Sequence, residues 1–167
     1  MAYKNNKWRL KLKIIKATKE NIPEIVYLYS FVQNLHETHH PDLFKPAAND
    51  SNIEKFFEEA LDKENSYILI AYKNNEALGY IWAELQHIEH PQLYKHEQFY
   101  INHISVHKEF KGQGIGKALL EEIESIAQKH GITKFALDVW EFNKDAQDFF
   151  KKLGFSVYNV NMWKKIT

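Results

Sequence analysis

The chain has 167 residues, a length that fits one domain with a two- or three-layer core. Its 22 basic residues equal its 22 acidic ones, so no basic face marks a nucleic-acid partner, and the balance leans away from strongly cationic ligands. Cysteine is absent, which excludes disulfides, thiolate zinc sites and a cysteine nucleophile and fits a reducing cytoplasm.

The opening MAYKNNKWRLKLKIIK is basic like the start of a secretory signal, but its charges alternate with apolar residues where an unbroken apolar stretch should follow. Leu10, Leu12 and Ile14 have the period of a half-buried strand. No window approaches the roughly 18 apolar residues of a membrane span, so a cytoplasmic protein without a membrane partner is expected. Asn21, Pro23 and Glu24 read as a helix start, followed by Ile22, Ile25, Val26, Tyr29, Val32 and His36 on one face, with Pro41 as the stop. Ser51 and Glu54 form a capping-box pattern ahead of the apolar stripe Ile53, Phe56, Phe57, Ala60 and Leu61. Two apolar runs, Tyr67 to Tyr72 and Ala77 to Leu85, meet at Asn74 and Asn75, which predicts a tight hairpin because Asn tolerates positive φ. The polar HIEHPQLYKHEQ reads as a loop and FYINHISV as a strand. A helix follows with Ile115, Leu119, Ile123, Ile126 and Ala127 inward and Gly131 at its end. Then come a strand from Phe135 to Trp140, a short helix capped by Asn143 and ended by Gly154, and one or two last strands over Phe155 to Lys165. The order βααβββαβαβ is that of an α/β fold with a mixed sheet, with no internal repeat or linker to divide it.

Three of the six glycines fall in the run KGQGIGK, at Gly112, Gly114 and Gly116. A P-loop needs Ser or Thr after Gly116 and Lys117, where Ala118 stands, and a glycine where Lys111 stands. A dinucleotide fingerprint needs G-x-G-x-x-G, and this run is G-x-G-x-G. A glycine-rich turn between a strand and a helix nevertheless leaves amides without helical acceptors, where the helix dipole adds positive potential. That is an anion cradle; the plain alternative is a strand-to-helix turn with no ligand.

The stretch ISVHKEFKGQGIGKALLEEIESIAQKHG, followed by FALDVWEFNKDAQDFFKKLGF, resembles the GCN5-related N-acetyltransferases over about Phe99 to Phe155. Lys111 stands where that family usually has Arg or Gln. The resemblance implies a central mixed, mostly antiparallel sheet of six to seven strands, four helices on both faces, and a splay between strands 4 and 5. It also implies acetyl-CoA as co-substrate. Its pyrophosphate would rest on the backbone of Lys111, Gly112, Gln113, Gly114, Ile115, Gly116 and Lys117, and its pantetheine arm would pair with Ile104, Ser105 and Val106. Asn143 would bond the pantetheine region, either instead of or besides capping its helix, and Ala146, Phe149 and Phe150 would line the thiol end.

Acyl transfer to an amine requires a base to strip the ammonium. His103 on the fourth strand is the first candidate, since an ordinary imidazole titrates near pH 6.5, and Glu84 is the second. Many members place a tyrosine acid where Phe150 stands. Solvent, Tyr100 or Tyr158 could protonate the leaving thiolate, or no acid is needed. The segment HETHH, His36 to His40, also fits the H-E-x-x-H zinc-protease pattern, although Pro41 ends the helix there and His87, His90 and His96 follow no ligand spacing. Under the acetyltransferase resemblance the same segment and its loop cover the acceptor, making His39, His40, Asp42, Phe44 and Trp82 substrate candidates. The expected activity is acetylation of a primary amine, small-molecule or peptide, in a ternary complex. A CoA-binding module without catalysis is the alternative that Phe150 motivates. Dimerisation is common in the family, and four Trp and nine Tyr supply material for a homodimer interface.

Overall fold

A computed structural model describes residues 12–47 and 51–166, with the Ser51 side chain left aside. Leu10 of the expected first strand and the Ser51 cap therefore lie outside the described residues. Five strands run in the sheet order β1-β2-β3-β4-β5. They are β1 (Lys13–Lys16), β2 (Ser66–Lys73), β3 (Glu76–Ile88), β4 (His96–Val106) and β5 (Phe135–Leu137). The helices are α1 (Ile22–His39), α2 (Ser51–Leu61), α3 (Ile115–Lys129) and α4 (Lys144–Lys152). Every pairing is antiparallel except that of β4 with β5, so the sheet is mixed as expected.

Period-two alternation divides the sheet into two buried faces. Leu69, Ala71, Ile81, Ala83, Phe99 and Ile101 pack with Leu119, Ile123, Ala127 of α3 and Phe150 of α4. Ile68, Ile70, Tyr80 and Trp82 point the other way, against Ile25 and Leu28 of α1 and Phe57 and Ala60 of α2. Leu12 and Ile14 both reach the α3 face, as their spacing predicts. The β2–β3 hairpin turns at Asn74 and Asn75, with φ of 51° and 64°.

Two boundaries differ from expectation. The charged, histidine-rich stretch read as a loop is strand at both ends: β3 runs to Ile88 and β4 starts at His96, with Ile88 opposite His96, and only the residues between them form the loop. Its residues are mostly exposed, so no apolar periodicity announces the pairing. Conversely, the strand expected over Phe135 to Trp140 stops at Leu137, and Phe155 to Lys165 forms no strand at all. The sheet thus has five strands among the described residues, not six or seven. Val157, Tyr158, Val160 and Trp163 are strand-favouring residues yet stand 74%, 75%, 70% and 68% exposed, because propensity records the capacity to pair and not the presence of an edge to pair with.

Buried polar groups fasten α1 to β4. Ser105 Oγ donates to the Leu28 carbonyl at 2.6 Å. His107 Nδ1 accepts from the Glu109 amide at 3.3 Å, which leaves the proton on Nε2, 3.1 Å from the Tyr27 hydroxyl. These two bonds set α1 across the β4 segment that leads to the glycine turn.

Candidate active site

The β4–β5 ladder holds only from Phe99 opposite Phe135 to Ile101 opposite Leu137, whereas β4 continues to Val106. Beyond Ile101 the pairing stops where β5 ends at Leu137, as the splay expectation requires, and among the described residues no strand borders the β4 edge on that side. In the β3–β4 register Trp82 faces His103 and Ala83 faces Ile101, so Asn102 is an extra, bulged residue at the point of separation. A cavity of about 560 Å³ opens in the fork. Its floor is β4 from Tyr100 to Ile104, one wall carries Asn143, Ala146 and Phe150, and the roof comes from α1 and the loop after it.

The edge leads from this cavity to the glycine turn. Gly112 and Gly114 have φ of 76° and 83°, a left-handed backbone that a Cβ would strain. The first helical bond runs from the Ala118 amide to the Gly114 carbonyl at 3.0 Å, so the amides of Ile115, Gly116 and Lys117 have no acceptor within the helix. The Gln113 amide has no partner within α3 either, but it donates to the Phe110 carbonyl at 3.4 Å. Gly116 serves packing, since a Cβ there would sit 3.1 Å from the Phe149 ring of α4. The Ile115 side chain is buried and only its backbone faces the turn, while Lys111 and Lys117 are exposed. Asn143 caps α4 through Oδ1, which accepts from the Ala146 amide at 3.2 Å, and also lines the cavity.

His103 lies in a nest of rings. Tyr29 stacks on it at 5.4 Å, Trp82 meets it edge-on at 5.2 Å, and Phe56 and Phe57 close the sides. Tyr80, itself fully buried and with its phenol pKa pushed well up by burial, places its hydroxyl 3.3 Å from His103 Nδ1. Burial, with a smaller push from His36, takes the His103 imidazole down to about 4. The ordinary value assumed from sequence does not hold, and the ring is neutral across the physiological range.

The remaining candidates separate. Glu84 is not among the cavity's lining residues; its carboxylate accepts from Lys63 Nζ at 3.0 Å. Trp82 is also absent from the lining, buried with its indole N–H donating to Ser66 Oγ at 2.9 Å. Of the α1-loop candidates, Phe44 lines the cavity. His39 and His40 lie outside it, stacked on Phe142 at 4.3 Å and leaning on Trp140 at 5.7 Å, while Asp42 sits 3.9 Å from Lys165 Nζ. The H-E-x-x-H pattern fails because α1 ends at His39, leaving His40 at φ −137° and ψ 68° off the helical face. Among the described residues no group of three or more His, Cys, Asp or Glu could hold a metal.

The cavity also holds residues to which the sequence reading gives another role or none. Asn102 has its side-chain nitrogen buried without a partner. The Tyr100 hydroxyl donates to Asp138 Oδ2 at 2.7 Å, and burial and that carboxylate raise the phenol pKa, which makes Tyr100 a poorer acid than a free tyrosine. His36, whose pKa burial lowers, and Trp140 complete an aromatic wall with Phe44. The sequence marks His36 by its place on the inner face of α1 and in the HETHH pattern, and Tyr100 as a possible acid, whereas nothing in it assigns Trp140 to the cavity.

Comparison with known proteins agrees with this arrangement. A family model described as the acetyltransferase (GNAT) family matches residues 29–155. The uncharacterized N-acetyltransferase YdgE of Bacillus subtilis is 26% identical over 106 residues, which cover 63% of this chain and 64% of the relative's length. A tetramutant of the BH1408 protein of Bacillus halodurans superposes with a TM-score of 0.85 at 25% identity, covering 92% of this chain and 99% of that one. The aminoglycoside N-acetyltransferase AAC(6')-Iy, solved in complex with CoA, has a TM-score of 0.74 at 19% identity, covering 92% and 94%. At that identity the likeness speaks for the fold.

Proposed function

The chain belongs to the acetyltransferase (GNAT) family, and from that premise we propose that it moves an acetyl group from acetyl-CoA to a primary amine by direct attack while both are bound. One observation carries the reading: an open strand edge joins a cavity holding a neutral histidine to a turn whose amides lack helical acceptors. The fit to the coenzyme rests on three features. A Cβ at Gly112 would meet nothing within 4 Å, so the outer side of the turn is open to an anion. The amides of Ile115 to Lys117 supply donors for a diphosphate. The edge over Ile104, Ser105 and Val106 suits an extended pantetheine amide chain. Asn143, Ala146 and Phe150 would hold the thiol end.

Bound there, acetyl-CoA supplies an acyl group activated as a thioester. The chain's own contribution is to orient and to manage protons. An alkylammonium with pKa near 10.4 must first lose a proton to solvent, since an imidazole at about 4 is too weak to take it. As the C–N bond forms and the C–S bond breaks, the attacking nitrogen becomes strongly acidic, and His103 can accept its second proton. That role requires the tautomer with Nδ1–H directed at the Tyr80 oxygen and the lone pair on Nε2. An amide on the open β4 edge would donate to the acyl oxygen as charge builds on it. The departing thiolate, of ordinary pKa about 8.5, takes a proton from solvent and does not require a side-chain acid.

Phe150 favours one rival, a coenzyme-binding module without turnover, because it puts a hydrocarbon ring in the cavity wall where the family often has a phenol. Thiol release from acetyl-CoA across a panel of primary amines decides between them. The transferase reading expects CoA and N-acetylated amine in equal amounts; coenzyme binding with no release for any amine sinks it in favour of the module.

A further inference from the structure

Resting on the transferase reading, we infer that the acceptor is a monoamine with a flat apolar body, an arylalkylamine, and not a polycation. Part of the cavity wall is aromatic: Phe44 meets Trp140 edge-to-face at 5.0 Å, and the His36 ring lies 4.8 Å from Phe44. All three line the cavity, and Trp140, although Phe142 stacks on it at 6.1 Å, keeps 37% of its surface exposed, so part of its indole face is left uncovered beside the site. A flat apolar group laid on that face recovers its desolvation, and ring pairs of this kind add to the area term.

Charge sets the number of amines. Among the described residues lining the cavity, Asp138 brings the one carboxylate and Lys45 the one ammonium. A polyamine or an aminoglycoside would bring several ammonium groups against a single negative partner and meet Lys45 as a like charge. Asp138 is held in place by the Tyr100 hydroxyl at 2.7 Å, next to the point where β4 opens. It stands two residues from Trp140, at most about 7 Å along the chain, within reach of an ammonium and a ring joined by a short tether. The carboxylate thus fixes the nitrogen near the open edge while the indole holds the body.

The test uses the full chain, with kcat/KM measured by thiol release for 2-phenylethylamine, propylamine, spermidine and kanamycin, and acetyl-CoA affinity measured by calorimetry alongside. The inference expects 2-phenylethylamine to exceed both polycations by about tenfold or more. Trp140→Ala should lower the ratio of 2-phenylethylamine to propylamine about tenfold, while Trp140→Phe keeps it within about threefold. Unaltered acetyl-CoA affinity shows that each variant is folded, and Phe44→Leu supplies a second variant expected to lower the same ratio. Turnover that prefers spermidine or kanamycin, or a ratio unmoved by Trp140→Ala and Phe44→Leu, overturns this inference alone. Absence of acetyl-CoA binding, or binding without turnover of any amine, overturns the transferase reading and this inference with it.

Discussion

The hydroxyl of Tyr80 lies 3.3 Å from Nδ1 of His103, inside a nest of rings that leaves the imidazole neutral with a pKa of about 4. Because the unfolded chain would protonate this histidine near pH 6.5, it binds more protons than the folded chain between that value and about 4. The stability that depends on the neutral ring is therefore complete above about pH 6.5 and is lost as pH falls towards 4. Urea unfolding at about pH 7 and pH 5 should differ by about 2 kcal/mol more in the parent chain than in His103→Gln. Equal differences in the two chains would mean the ring is not held neutral by burial.

The same depressed value shapes the rate. If the free amine is the reactant and His103 is already unprotonated, kcat/KM should climb about tenfold per pH unit between about pH 6 and 9, following deprotonation of the substrate. His103→Ala should lower the whole curve without altering its slope. A plateau setting in near pH 6.5 that vanishes in His103→Ala would instead make this histidine an ordinary titrating base, in conflict with its surroundings.

At Gly112 the backbone has φ of 76°, yet an added Cβ would touch nothing within 4 Å. Gly112→Ala should therefore cost about 1 kcal/mol of stability from strain alone, while its methyl projects into the space required by the phosphates. The expected result is a KM for acetyl-CoA raised about tenfold or more with a small change in melting temperature. A normal KM would remove the turn from the coenzyme site.

Legibility followed the physics of each signal. The glycine turn, the Asn74–Asn75 hairpin and the α3 stripe were readable because positive φ and helical periodicity restrict residue type locally. Asn102 was not, because a bulge is a property of register between two strands, and neither β3 nor β4 alone encodes it. His103 was found by position, but its neutral state came from Tyr29, Phe56, Phe57 and Trp82, residues from three other elements. Trp140 was read as the end of a strand, whereas β5 ends at Leu137 and frees it to face the cavity. The aromatic part of the cavity wall is assembled from α1, its loop and the segment after β5, so no single stretch displays it.

Glu84 offers a negative prediction. Its carboxylate is engaged by Lys63 at 3.0 Å and lies off the cavity, so Glu84→Gln should leave kcat/KM within about twofold. A loss of about a hundredfold would return it to the catalytic groups.

Phe150 is 6% exposed, with Phe149 and Phe155 against it at 5.0 and 5.2 Å. Phe150→Tyr should lower stability by about 1 kcal/mol through an added hydroxyl in an apolar wall. It should change kcat by less than about threefold, because a thiolate leaves unaided. A rise of about tenfold would show that protonation of sulfur had limited the parent chain.

Most direct of all is a backbone amide NMR titration of the full chain with CoA. The account predicts that the largest shifts fall in two segments at once, Ile115 to Lys117 at the start of α3 and Ile104 to Val106 on the open edge of β4. Saturation by CoA with both segments unmoved, or no binding at millimolar coenzyme, would contradict it.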